Sequence, residues 1–177
     1  YWWSLWIAAA GTVLVWRLLL PLVRSLRHGL RVTSVVRESS DVVSVYLPGR
    51  RLDRLPLRAG QFLNVRFLDG AGWTRSNPFS LSAAPDGRSV RITAKALGDG
   101  SSRLARLSPG TRVLFEGPYG RLSSRVRTRT RVLLIGAGVG ITPLRALGEG
   151  LDYAPGDAVL LQRCTAEVSA DAASDAD

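Results

Sequence analysis

The spacing of apolar and polar positions along this 177-residue chain changes character twice. Residues 1–23 are almost wholly apolar, with Arg17 the only charge and Trp2, Trp3, Trp6 and Trp16 set among Leu, Val and Ala. About 20 such residues cross a bilayer as a helix, so a transmembrane helix is expected here. Trp2 and Trp3 fit one aromatic belt, and Arg17 can snorkel beside Trp16 at the other. A buried or interfacial helix is the alternative. A cleaved signal peptide fits less well, because Arg24, Arg27 and Arg31 follow the apolar run instead of preceding it. Residues 24–30 read as a basic juxtamembrane linker, which places the downstream chain in the cytoplasm by the positive-inside rule.

From Leu30 the period shortens to that of strands, near 31–38, 42–48, 61–67, 77–83, 89–96 and 112–116. Pro-Gly, Ala-Gly and Asp-Gly turns separate them. Six short antiparallel strands at this spacing predict a small barrel over 31–120, with a helix at 101–107 inside it. An arginine-rich linker at 121–131 follows. The second change comes at 132, where an apolar strand (132–136) runs into a glycine turn, a helix (142–149) and another strand (158–162). That is the opening βαβ of a parallel sheet, so the fold class is β plus α/β, with a truncated nucleotide-binding domain over 132–163. Residues 164–177, rich in Ala, Ser and Asp, are expected to be a disordered acidic tail.

The turn reads Gly136-Ala-Gly138-Val-Gly140-Ile-Thr142-Pro143. Its glycines permit positive φ and close backbone approach, Thr142 can cap the helix, and Pro143 suits a first turn. The free N–H groups of the helix start then suit a phosphate. Ile141 stands where the third glycine of a dinucleotide fingerprint would be, so an ordinary tight turn stays open.

Charge narrows the partners. The net +10 is nearly all arginine, Lys95 being the only lysine. Lipid headgroups and phosphorylated cofactors fit this balance. Nucleic acid does not, since the arginines are scattered without interleaved aromatics. The single cysteine, Cys164, excludes an intramolecular disulfide, and the only histidine, His28, is expected at the membrane interface rather than on a metal. No metal-binding residue is assigned. The absence of Met suggests a piece of a longer protein.

Three further segments carry chemistry: Arg75-Ser-Asn77-Pro78-Phe79-Ser80, Lys95-Ala-Leu-Gly98-Asp-Gly100-Ser101 and Gly117-Pro-Tyr119-Gly120. In this order, with the glycine turn behind them, they resemble the flavin- and nicotinamide-binding module of the ferredoxin-reductase superfamily. With the apolar helix in front, the chain is similar to part of a ferric-reductase or NADPH-oxidase-like membrane protein. The resemblance implies FAD, with FMN as the fallback, NAD(P)H as electron donor, and haem in a membrane half outside this chain.

Carried over by position, Phe79 would pack on the isoalloxazine and Ser80 would be the catalytic hydroxyl near the reactive flavin nitrogen. Asn77 stands where the family has a basic residue for the flavin phosphates, with Arg75 a possible substitute. Lys95, Gly98, Gly100 and Ser101 would form the phosphate loop, and Pro78, Gly117, Tyr119 and Gly120 would border the flavin. Gly136, Gly138, Gly140, Thr142 and Pro143 would hold the nicotinamide cofactor's phosphates. The family's later Cys-Gly segment has no counterpart, Cys164 being too early. The function implied is electron transfer from NAD(P)H through FAD to upstream haem-bearing helices, or to an acceptor such as ferric iron or oxygen. A reductase component of an oxygenase system, or a non-catalytic flavin-binding fragment, are the alternatives.

Overall fold

The computed structural model describes residues 1–70, 74–95 and 103–163. It opens with one continuous helix, Trp2–His28, the only one among the described residues long and apolar enough to cross a membrane by length and composition. Its first part, α1 (Trp2–Leu14), and its last, α2 (Leu20–His28), are joined by a π-helical turn at Val15–Leu19. The cause is Pro21: it has no N–H for the Arg17 carbonyl, and its ring crowds that carbonyl, so the preceding turn widens. Gly29 ends the helix in the left-handed region at φ 54°, its N–H donating to the Ser25 carbonyl at 2.8 Å. The helix thus runs through much of the stretch expected to be a linker.

Six strands follow: β1 (Ser34–Arg37), β2 (Val42–Pro48), β3 (Phe62–Phe67), β4 (Asn77–Ser80), β5 (Ser89–Lys95) and β6 (Val113–Tyr119). They form two antiparallel sheets, ordered β1-β2-β5 and β4-β3-β6. The expected closed six-stranded barrel is not what forms. Among the described residues the edges meet at two isolated bridges, Leu81 with Ile92 and Arg31 with Arg112, with a few backbone hydrogen bonds beside them and no continuous ladder. Strand β1 is too short to prolong the seam with β6, and β4 is four residues long and contains Pro78, which cannot donate to a ladder. Inward residues of alternating strands, among them Val45, Leu47, Leu63, Val65, Ile92 and Phe115, fill the space between the sheets.

Beyond β6 the chain passes through a single 3-10 turn, Ser124–Val126, to β7 (Val132–Ala137), α3 (Ile141–Gly150) and β8 (Ala158–Arg163). Strands β7 and β8 pair in parallel, Leu133 beside Val159 and Ile135 beside Leu161. Helix α3 covers one face of this pair and also seats the lobe on the sheets. Gly150 comes so near Ala59 and Ala84 that a Cβ there would lie 2.9 and 3.3 Å from their methyls. Glu149 accepts the Ala84 N–H at 3.1 Å and lies 3.7 Å from Arg91.

Candidate functional site

Register on the sheet β4-β3-β6 decides which side chains share a face. Leu63, Val65 and Phe67 point into the core, so Phe62, Asn64 and Arg66 point outward. Ser80 pairs with Phe62, and Phe62 pairs with Tyr119, so these three form one row across the sheet. The row exists because β6 carries one extra residue, Gly117 and Pro118 together standing opposite Leu63. Register shifts there, and Tyr119 is brought level with Phe62. The two rings are tilted by 41° with centroids 5.6 Å apart, and Tyr119 is 41% exposed. The Ser80 hydroxyl makes no hydrogen bond to the described residues. Gly120, at φ 99°, lies at the end of the row, where a Cβ would rest 3.4 Å from the Phe62 ring. Below it, Arg66 and Glu116 form an ion pair at 2.8 Å.

Helix α2 lies along the same strand. Ser25 Oγ donates to the Phe115 carbonyl at 3.0 Å and accepts the Phe115 N–H at 2.9 Å, while the Arg24 guanidinium donates to the Gly117 carbonyl. His28 is not interfacial, as expected, but buried. Its Nδ1–H donates to the Arg50 carbonyl at 2.9 Å and its ring is tilted against Phe115, because one face of α2 packs on β6.

Other sequence-predicted residues fall differently. Phe79 is a core residue, 8% exposed and edge-on to Phe67, because it pairs with the fully buried Leu63. Its ring is turned toward the core and not to the outer face of the sheet, unlike the outward-facing ring expected of a stacking residue. Phe62, on the outward register, presents its ring on that outer face; the alternation Phe62-Leu63-Asn64-Val65-Arg66-Phe67 is the signal that could have found it. Pro78 is exposed and Asn77 half-buried on β4. Arg75 is exposed and precedes the strand, so it does not share a strand face with Asn77. Lys95 ends β5, its Nζ 2.9 Å from Asp41. The Lys95 ammonium and, after it, the Ser39 hydroxyl hold the Asp41 carboxyl below the usual carboxylate range. Gly98, Gly100 and Ser101 lie outside the described residues, as does Cys164; so does the start of the helix expected at 101–107.

In the glycine turn each position has a different task. Gly136 is the close approach: a Cβ would sit 2.9 Å from the Leu144 side chain and 3.1 Å from the Ile141 Cα. Gly138 takes the positive φ, 52°. Gly140 needs neither freedom, at φ −64° with open space around it. Thr142 does not cap α3, since Gly140 occupies the cap position; Thr142 is the second residue of the helix and is buried, with Pro143 beside it in the first turn. The N–H groups at the start of α3 remain without a side-chain cap.

A two-sheet antiparallel body with a glycine-turned parallel βαβ unit behind it is the architecture of ferredoxin–NADP reductase-type modules. The flavohaemoprotein-like FAD/NAD-binding domain of nitric oxide dioxygenase from Vibrio cholerae superposes with a TM-score of 0.63 at 26% identity, over 79% of this chain and 63% of that one. By sequence the chain is homologous to NADPH oxidase 1 of Mus musculus, 28% identical over 155 residues covering 84% of this chain and 25% of the oxidase. It is also homologous to the electron transfer subunit of dihydroorotate dehydrogenase B (NAD(+)) from Shouchella clausii, 32% identical over 125 residues, 69% of this chain and 47% of the subunit. No family model matches the chain. The chain thus spans between a quarter and a half of these two relatives.

Proposed function

We propose that the chain is the flavin- and nicotinamide-binding part of a membrane-anchored oxidoreductase that takes electrons from NAD(P)H in the cytoplasm and passes them to an acceptor at or in the membrane, a haem chain included. The observation that carries this reading is that the outward-facing row Ser80–Phe62–Tyr119 ends on β6, the strand against which the inner end of the apolar helix packs. A group seated on that row lies beside the end of the helix.

The donor set fits a flavin. Phe62 and Tyr119 offer two adjacent aromatic rings, and the Ser80 hydroxyl supplies a donor beside them without having to leave a protein partner. FAD, when bound, supplies the conversion of a two-electron donor into single-electron steps. Gly117 and Gly120 keep that end of the site free of side chains. Asn77, Arg75 and Lys95, with Gly98, Gly100 and Ser101, meet the flavin's phosphates. The uncapped start of α3, with Gly136, Gly138, Gly140, Thr142 and Pro143 around it, receives the phosphates of the nicotinamide cofactor. Residues 1–23 cross the membrane, 31–120 form the flavin domain and 132–163 the nucleotide lobe.

Titration of the purified chain with FAD, followed by flavin absorbance and by mass spectrometry of the released flavin, tests the reading. One FAD per chain is expected, with Phe62→Ala weakening it roughly tenfold through lost ring contact. Ser80→Ala should leave affinity nearly intact but slow anaerobic reduction by NAD(P)H by about 10²-fold or less, the scale of one lost donor. Absence of any flavin binding overturns the assignment. Impermeant labelling of a reporter fused after Leu30 tests topology: protection in intact cells is expected, and labelling reverses it.

A further inference from the structure

Four arginines from three parts of the chain converge on one cavity. It has a volume of about 590 Å³ and lies beyond the end of β6, between α2, the loop ahead of β3 and the turn that follows Gly120. Arg24, Arg58, Arg121 and Arg125 line it, together with Gln61 and Ser123. No carboxylate lines it among the described residues. Five arginines elsewhere do have acidic neighbours: Arg66 pairs with Glu116, Arg91 and Arg145 with Glu149, Arg103 with Asp69, and Arg131 with Asp157.

Guanidinium groups gathered around one concavity repel each other and raise the local positive potential, and a charge-dense anion relieves that repulsion. The walls are partly fixed. Arg24 is held by its hydrogen bond to the Gly117 carbonyl, and Gln61 Nε2 donates to the Gly120 carbonyl at 3.3 Å. Arg121 and Arg125 are exposed and make no ion pair with the described residues, so their forks are available for bidentate bonds to phosphate oxygens.

We propose that this cavity binds a phosphate-bearing anion, either the headgroup of an anionic lipid or a soluble phosphate compound. Arg24 lies in the last turns of the helix Trp2–His28, so in a chain anchored by that helix the cavity opens at headgroup level. Gly120 is common to its rim and to the proposed flavin site, but Ser80, Phe62 and Tyr119 do not line it, and the inference stands without the flavin assignment.

The test uses the whole flavin-free chain in neutral maltoside micelles, titrated calorimetrically with dioctanoyl phosphatidate and separately with inorganic pyrophosphate. Saturable binding of at least one probe is expected. The double variant Arg121→Gln/Arg125→Gln should weaken it at least tenfold while leaving the circular dichroism spectrum unchanged, and Arg37→Gln, an exposed arginine on β1, should not alter it. Phosphatidate bound at least tenfold tighter than pyrophosphate assigns the site to a lipid headgroup; the opposite order assigns it to a soluble phosphate. The proposal is overturned if neither probe saturates, or if the double variant binds as the parent does. A double variant that also loses FAD affinity would make the cavity part of the flavin site and equally overturn a separate one.

Discussion

The two antiparallel sheets and the parallel pair behind them are built from similar residues and end in different states. Between the sheets, Val45, Leu47, Leu63, Val65 and Ile92 are sealed from solvent. On β7 and β8 the same residue types stand open: Leu133 is 59% and Ile135 67% exposed, with Val159 and Leu161 beside them on the uncovered face. The difference lies in layers rather than composition. An antiparallel sheet needs one cover, and each sheet of the body covers the other; a parallel sheet needs both faces covered, and α3 supplies one. Stability of the described chain therefore resides in the sheet body, while the lobe depends on its seat against that body.

The sharpest way to break this comparison is a matched pair of truncations. Leu63→Ala empties a sealed position and should cost about 2–5 kcal/mol. Ile135→Ala removes a side chain already in solvent and should change stability by no more than about 0.5 kcal/mol. Chemical denaturation of the two variants in the same micelles measures the gap. Equal losses would mean that the open face of β7 is covered in solution.

A smaller effect is expected at the seat itself. Gly60 has φ +84°, and a Cβ there would lie 2.1 Å from the Leu122 carbonyl oxygen and 2.9 Å from Leu147 of α3. Gly60→Ala strains the backbone, a cost of about 1–3 kcal/mol, and the contact forces α3 or the following turn to move. Faster hydrogen exchange in α3 than in β2 is the expected signature. Gly138→Ala is the milder control: its φ of +52° is disfavoured for alanine, but nothing lies within 4 Å of the new methyl. About 1 kcal/mol is expected there, with exchange in α3 little changed beyond its first turn.

Much of this division was legible in the sequence. Alternation of apolar residues located the six body strands closely, and the apolar run into Gly136 located β7, α3 and β8, since both patterns are local. Closure was not legible. Whether six strands seal into a barrel depends on edges meeting, and among the described residues the short β1 and Pro78 on β4 leave an isolated bridge at each seam in place of a ladder. Motif order marked Ser80 and Tyr119, which the fold brings level, and Phe79, whose ring the fold turns into the core; it did not mark Phe62, which shares their row. Motif position carries no information about which face of a strand a residue takes; the period-2 burial of β3 does. His28 and the arginine cavity were illegible for another reason. Arg24, Arg58, Arg121 and Arg125 meet only through the packing of α2 on β6, a contact between distant segments that no local pattern announces.

The smallest expected effect separates the two regions by pH. Asp86, in the turn between β4 and β5, accepts the N–H groups of Ser89 and Arg88, both at 2.8 Å, and the Ser89 hydroxyl. Those bonds, the Ser89 N–H first, favour the charged form and hold its pKa below 3.8. A carboxyl with a lowered folded pKa contributes stability that is fully present above its unfolded value, about 3.9, and is lost as pH falls through the folded one. Because the group is exposed, solvent screening keeps the contribution well under about 1 kcal/mol. Asp86→Asn should therefore reduce stability slightly at pH 7 and flatten its decline below about pH 4, where the parent's carboxylate would be protonating. Hydrogen exchange of peptides from β5 and β7, compared at pH 6 and pH 3.5 after correction for intrinsic rates, gives the readout. The variant's altered pH response should be confined to β5 and its neighbours; an equal change in β7 would show that the lobe opens only with the body and that the two regions unfold as one unit.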